Sequence, residues 1–209
     1  MDSFDSLIIE HRNVFDADLC SEIIRKFDID ERSVDGYTLD SPISSVKQSK
    51  DLKLSNYEDW MDIDTKLFNL LSPKVSELNE FVFFGEGCNC SDTGYQIQKT
   101  IPGGGYDWHH DFLVDIKKDS LYEKNDVEFM SGKQRYYTYI IYLNDNFSGG
   151  TTDFQFPAGG KMSIKPETGK LLFFPASPFY CHRGDKVTKG EKYIITGWLE
   201  YNMIYQTHV

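Results

Sequence analysis

The chain has 209 residues, 22 Lys+Arg against 33 Asp+Glu, a formal net charge of -11 and 15% aromatic residues. That length predicts one domain, able to bury a core without disulfide or metal staples. The acidic balance, with no concentrated Lys/Arg stripe, excludes phosphate-reading nucleic-acid binders and disfavours anionic membrane surfaces.

The N-terminus, Met1-Asp2-Ser3-Phe4-Asp5, lacks the basic and apolar regions of a secretion signal. The strongest apolar runs, Phe81 to Phe84 and Leu171 to Phe174, are too short to span a bilayer. The expectation is a cytoplasmic protein whose scattered cysteines (Cys20, Cys88, Cys90, Cys181) are free thiols. Leu19, Ile23, Ile24 and Phe27 form a helical stripe, with Asp16 or Asp18 as N-cap. Ser33 to Asn56, rich in Ser, Asp, Lys and Gly, reads as a long loop. A second helical stripe runs through Trp60, Ile63, Leu67, Leu70 and Leu71 and continues at Val75, Leu78, Phe81 and Val82; Ser72-Pro73 between them predicts a kink or a restart.

From Tyr95 onward the texture changes to short β-branched and aromatic runs separated by Gly, Pro, Asn and Asp. They are Tyr95 to Ile101, Tyr136 to Leu143, Thr152 to Phe156, Lys161 to Lys165, Lys170 to Phe174 and Tyr193 to Tyr201. Strands without intervening helices predict an antiparallel sandwich, barrel or jelly roll. The whole is one domain, 1–209: residues 1–94 give helical support and a loop over 33–56, and residues 95–209 the β core.

Two places in the β region carry candidate chemistry. His109 and Asp111 are two apart, so on an extended segment both point to one face and can hold one ion between them. His182 is the candidate third ligand, because two His and one carboxylate make the facial triad that suits non-haem Fe(II). His110, between the first two, should face the other way. If Lys192 to Leu199 is a strand, Lys192, Ile194, Thr196 and Trp198 share one face. A buried ammonium there needs an anionic partner, and a dicarboxylate reaching from the ion to Lys192 would supply it.

These segments resemble a known family. His109-x-Asp111, Arg135-x-x-Thr138-x-x-x-Tyr142-Leu143-Asn144, Gly149-Gly150-Thr151-Thr152, Pro166-x-x-Gly169-x-x-x-x-Phe174 and His182 followed by Gly190-Glu191-Lys192-Tyr193-x-x-Thr196-x-Trp198 resemble, in order, the 2-oxoglutarate and Fe(II)-dependent dioxygenases of the prolyl 4-hydroxylase type. The resemblance covers roughly residues 95–200. It implies a mainly β fold with N-terminal helices, an α+β arrangement around a double-stranded β-helix (jelly-roll) core. It also implies His109, Asp111 and His182 as iron ligands, Lys192 on the distal carboxylate of 2-oxoglutarate, Tyr142 and Thr196 as further 2-oxoglutarate contacts, and Trp198 beside the iron. Relatives carry a Tyr near the position of Thr100; here Gln98, on the same face, or Tyr95 would replace it.

The implied cofactors are Fe(II), 2-oxoglutarate and O2, with ascorbate as reductant, and the implied reaction is hydroxylation of a substrate C–H bond. The implied substrate is a proline-containing peptide or protein, as for a procollagen-proline-type 4-hydroxylase. Arg135 and Lys47 are the candidate substrate contacts, and 33–56 is the expected lid over the site. Two other readings share many of these residues: a hydroxylase of a free amino acid or other small molecule, and a non-catalytic jelly-roll module holding a structural ion.

Overall fold

The computed structural model describes residues 4–36, 46–83, 90–124 and 127–208. Strand β1 (Ile9–His11), helix α1 (Ala17–Asp28), strands β2 (Val34–Asp35) and β3 (Lys50–Lys53), and helix α2 (Met61–Phe83) come first. The strands that follow are β4 (Cys90–Asp92), β5 (Gln96–Thr100), β6 (Tyr106–His109), β7 (Val114–Lys124), β8 (Val127–Tyr142), β9 (Ser148–Gly149), β10 (Thr152–Gln155), β11 (Lys161–Ile164), β12 (Leu171–Pro175), β13 (Cys181–Gly184), β14 (Val187–Lys189) and β15 (Lys192–His208).

They build a larger sheet in the order β1-β12-β8-β15-β5-β3-β2, with β4 joined to β15 and β7 to β8. A smaller sheet runs β11-β10-β13-β6, and β14 pairs with β9. Every strand pair among the described residues is antiparallel. This is the mainly β, jelly-roll arrangement that the resemblance implied.

The central strands of the larger sheet bury both faces, which is why they read as nearly unbroken apolar runs. Tyr139, Ile141, Leu171, Phe173, Tyr193 and Ile195 pack with α1 and α2 on one side. Ile140, Tyr142, Leu172 and Phe174 face the other way and meet Phe154, Phe156 and Ile164. Alternation therefore assigns each strand one face to structural support and one to the interior of the jelly roll.

The helices follow from their stripes. Leu19, Cys20, Ile23 and Phe27 are buried on α1, and the Asp16 side chain caps it by accepting from Leu19 N at 2.7 Å. Helix α2 neither restarts nor breaks at Pro73, contrary to expectation, and runs unbroken from Met61 to Phe83. Pro73 removes the donor that Asn69 O would receive, and both residues lie on the exposed side of the helix, where water can take that carbonyl. No described helix is long and apolar enough to cross a membrane.

Three further expectations are corrected. The described parts of 33–56 are not a simple loop, because β3 is paired with β5 and β2 with β3; the Ser44-Ser45 part of the expected lid lies outside the described residues. The hairpin of β7 and β8 begins well before Tyr136, and β1, β6 and β13 were not anticipated. The alternation Val114-Asp115-Ile116-Lys117 is short and runs into the charged Lys117-Lys118-Asp119, and this stretch pairs with β8 as a strand. Finally, Cys20 and Cys181 are free, whereas Cys90 is disulfide-bonded.

Candidate metal and dicarboxylate site

Strands β6 and β13 bring His109 and His182 together as direct cross-strand partners. Asp111 lies two residues past the first. The ligand atoms of His109, Asp111 and His182 all lie within 4.8 Å of one another. Nε2 of His109 stands 3.8 Å from Asp111 Oδ1, and Nε2 of His182 stands 3.6 Å from Asp111 Oδ2. The opposite ring nitrogens are already engaged: Nδ1 of His109 lies 2.8 Å from Asp107 O, and Nδ1 of His182 lies 3.0 Å from Tyr180 O. A backbone carbonyl only accepts, so each Nδ1 carries the proton and each Nε2 presents a lone pair inward. His110 points outward and is exposed.

The charge states suit a cation. Burial, with His182 beside it, pushes His109 down to about 4, so its imidazole is neutral near pH 7. Burial works to raise Asp111, but His182, His109 and the Thr138 hydroxyl outweigh it and hold the carboxyl below its ordinary value. Thr138 on β8 donates from Oγ1 to Asp111 Oδ2 at 2.7 Å, fixing the carboxylate's rotation. Two imidazoles and one carboxylate form a donor set that fits a divalent transition metal with positions left open, as Fe(II) sites of this kind require.

Next to this cluster the Arg135 guanidinium lies 3.8 Å over the Trp198 ring. Arg135 Nε and Trp198 Nε1 are both buried without a hydrogen-bond partner. The indole stands near enough to Asp111 to lower its pKa, although the contact lacks full hydrogen-bond geometry.

The inward face of β15 carries Lys192, Ile194, Thr196 and Trp198, and its opposite face places Tyr193, Ile195 and Leu199 against the helices. Lys192 is 5% exposed and donates to Gly150 O at 2.7 Å, with its ammonium 5.8 Å from the Tyr142 ring. Among the described residues no carboxylate lies within ion-pair distance of it. Burial pushes Lys192 down to about 8, against a weaker upward pull from Asp153 and Asp185. Gly150 can turn its carbonyl to the lysine because its φ is +67°, a left-handed conformation that favours glycine.

Tyr142 is fully buried, and its hydroxyl shares a 2.7 Å hydrogen bond with Thr152 Oγ1. Thr196 Oγ1 donates to Tyr139 O at 3.3 Å. Register places Thr100, Gln98 and Gln96 of β5 opposite Lys192, Ile194 and Thr196, so Gln98 shares the inward face. Tyr95 does not reach in: it packs edge-on against Tyr139 on the helix side. Lys47, expected to meet substrate, is instead buried against Asp51 at 2.5 Å, and its ammonium faces that carboxylate. Three groups near the cluster had no role in the sequence reading: Thr138, Thr152 and Tyr106, whose ring stacks on His109 at 3.6 Å between centroids. Thr138 and Thr152 stand inside the recognised segments, but only the fold shows what they touch.

The profile of the 2OG-Fe(II) oxygenase superfamily matches residues 95–200. A candidate prolyl 4-hydroxylase of Acanthamoeba polyphaga mimivirus is 36% identical over 112 residues, 49% of this chain and 43% of that protein. Prolyl 4-hydroxylase 1 of Arabidopsis thaliana is 29% identical over 121 residues, 50% of this chain and 39% of that protein. The matched region thus spans less than half the length of these curated relatives. Among solved structures, a Trichoplax adhaerens prolyl hydroxylase in complex with a hypoxia inducible factor peptide fragment superposes with a TM-score of 0.71 at 16% identity, covering 93% of this chain and 83% of that one. The viral collagen prolyl hydroxylase of Paramecium Bursaria Chlorella virus-1, solved with 2OG, gives 0.62 at 19% identity, with 93% and 96% covered. These two share the fold.

Proposed function

Because the chain belongs to the 2OG-Fe(II) oxygenase superfamily, we propose that it is an Fe(II)- and 2-oxoglutarate-dependent dioxygenase that hydroxylates a prolyl residue in a peptide or protein. The observation that carries this reading is a pair of features: a three-ligand cluster at His109, Asp111 and His182, and a buried ammonium at Lys192, on the inward face of β15, that lacks a carboxylate partner among the described residues. A structural ion alone gives no reason to bury Lys192, because an uncompensated ammonium in the interior is costly. A dicarboxylate answers both features.

When bound, Fe(II) couples the reduction of O2 to two oxidations, 2-oxoglutarate to succinate and CO2 and a substrate C–H to C–OH. Ascorbate is the proposed reductant that keeps the metal in the ferrous state. The chain's own residues hold and orient. His109, Asp111 and His182 are the ligands, with their tautomers and rotation set by Asp107 O, Tyr180 O and Thr138. Lys192 receives the distal carboxylate of 2-oxoglutarate, with Tyr142, Thr196 and Gln98 along the same walls. Phe154, Phe174 and Tyr180 pack around His182 and keep bulk water from that side of the site. Arg135 and Trp198, each with an unpartnered buried N–H beside the cluster, are the proposed partners of a substrate carbonyl. The prolyl preference is supported by the names of the relatives and structural neighbours above.

The test is succinate formation from 2-oxoglutarate with Fe(II), ascorbate and O2, first without substrate and then with proline-containing peptides or free amino acids. Stimulation by peptides but not by free proline is expected. Absence of any 2-oxoglutarate turnover in metal-loaded protein would refute the enzyme reading, and His109→Ala should abolish whatever turnover occurs.

A further inference from the structure

Of the two histidine ligands, His109 has the less sheet around it. Its strand, β6, is the last in the smaller sheet, held on one side by β13 with a register shift between His182 and Gly184. On its free side residues 46–48 take the place of a strand: Asp107 N donates to Val46 O at 2.9 Å, Gln48 N donates to Gly105 O at 2.9 Å, and Lys47 forms an isolated bridge with Tyr106. A few residues later the same segment becomes β3 and pairs with β5 of the larger sheet. It therefore ties the two sheets together at the edge of the metal site.

Inside this tie lies a buried ion pair. Lys47 is 6% exposed and Asp51 5%, with Nζ 2.5 Å from Oδ2. The carboxylate also accepts from Ser49 Oγ at 2.7 Å and Gln96 Nε2 at 2.8 Å. A buried pair is weak grounds for stability, since apolar residues of similar volume would often serve as well. What it does here is fix the ammonium in one direction, 5.6 Å from the centre of the Tyr106 ring. That ring lies nearly parallel to His109, 19° off and 3.6 Å between centroids.

We propose that Lys47 is a positioning residue for the metal site: held by Asp51, it pins Tyr106 against His109 and so orients the histidine ligand that stands on the edge strand. This rests on the reading of His109 as a metal ligand. It also gives residues 46–53 a part in metal binding in place of the substrate contact expected of Lys47.

The test is titration of metal-free protein with Co(II), followed by visible absorption, alongside thermal unfolding. The variants are Lys47→Met, Lys47→Arg, Tyr106→Leu and the double Lys47→Met/Tyr106→Leu. Lys47→Met and Tyr106→Leu should each weaken Co(II) binding about tenfold, the scale seen when groups that orient metal ligands are removed. Their effects should not multiply in the double variant, because both break one chain of contacts. Lys47→Arg should restore affinity and the wild-type absorption envelope. A Lys47→Met protein that melts earlier but binds Co(II) with unchanged affinity and absorption overturns the proposal, as do losses that multiply. Should Lys47→Met not fold, unchanged affinity in Tyr106→Leu overturns it alone. Failure of the wild type to bind Co(II) strikes instead at the metal-site reading.

Discussion

Thr138 and Asp111 meet through one hydrogen bond, Oγ1 to Oδ2 at 2.7 Å, and this contact joins a central strand of the larger sheet to the carboxylate of the metal cluster. β6 and β13 supply the histidines, but the carboxylate's rotation is set from across the jelly roll. Both sheets are thus needed to define the donor set.

Thr138→Val keeps the shape and removes the donor, leaving Asp111 free to rotate. Metal affinity should fall 10- to 100-fold, while Thr138→Ser should stay near wild type. Calorimetric titration with Fe(II) or Co(II) under anaerobic conditions checks this, and equal affinities for Val and Ser would show that the hydroxyl does not orient the ligand.

Lys192 gives a prediction about pH. Its folded pKa is lowered to about 8 from 10.5. Between these values the unfolded chain binds a proton that the folded chain does not, so stability of the ligand-free protein should rise with pH across that window. Below about 8 both states are protonated and this contribution is flat. Lys192→Met should remove the rise, as read from denaturant midpoints on either side of pH 8. A dicarboxylate favours the ammonium, so 2-oxoglutarate binding above pH 8 should take up a proton, seen as a binding enthalpy that varies with the buffer's ionisation heat.

Gly150→Ala tests the anchor of that lysine. The added Cβ would sit 2.8 Å from Phe147 and 3.2 Å from Lys192 Cδ, at a φ of +67°. Strain of about 1 kcal/mol follows from the conformation alone, and KM for 2-oxoglutarate should rise severalfold while Co(II) affinity holds. An unchanged KM would show that Gly150 O is not needed to aim Lys192.

Ile23 on α1 is fully buried against the outer face of the larger sheet. Ile23→Ala should destabilise the fold by about 2–5 kcal/mol, measured by urea denaturation. Metal affinity of the folded fraction should not change, because the helices support the sheet from the side away from the site.

Much of this was legible in the sequence. The period-two pattern from Lys192 to Leu199 correctly placed Lys192 and Thr196 inward and Tyr193 and Ile195 toward the helices, because a strand's alternation depends only on its own residues. Asp16 was readable as a cap for the same local reason. What escaped depends on partners distant in the chain. Asp51 is close to Lys47 in the chain, but nothing local shows that the pair is buried or that distant Tyr106 is its neighbour, since both follow from where a sheet edge lies. The short alternation at Val114 to Lys117 gives way to charged residues, and its strand became evident only in its pairing with β8. Pro73, a local signal for a break, was overridden where the helix side faces water.

The pairing of His109 with His182 has a consequence for the life of the molecule. The two come from distant stretches of chain, so the chelate does not exist until the smaller sheet has closed. Metal then acts as a latch that only the native protein can fasten: at a hundredfold excess over its dissociation constant a ligand of the folded state adds about 2.7 kcal/mol. A metal-starved population would open more often at β6 and β13, and it would be cleared by proteases sooner than its loaded counterpart.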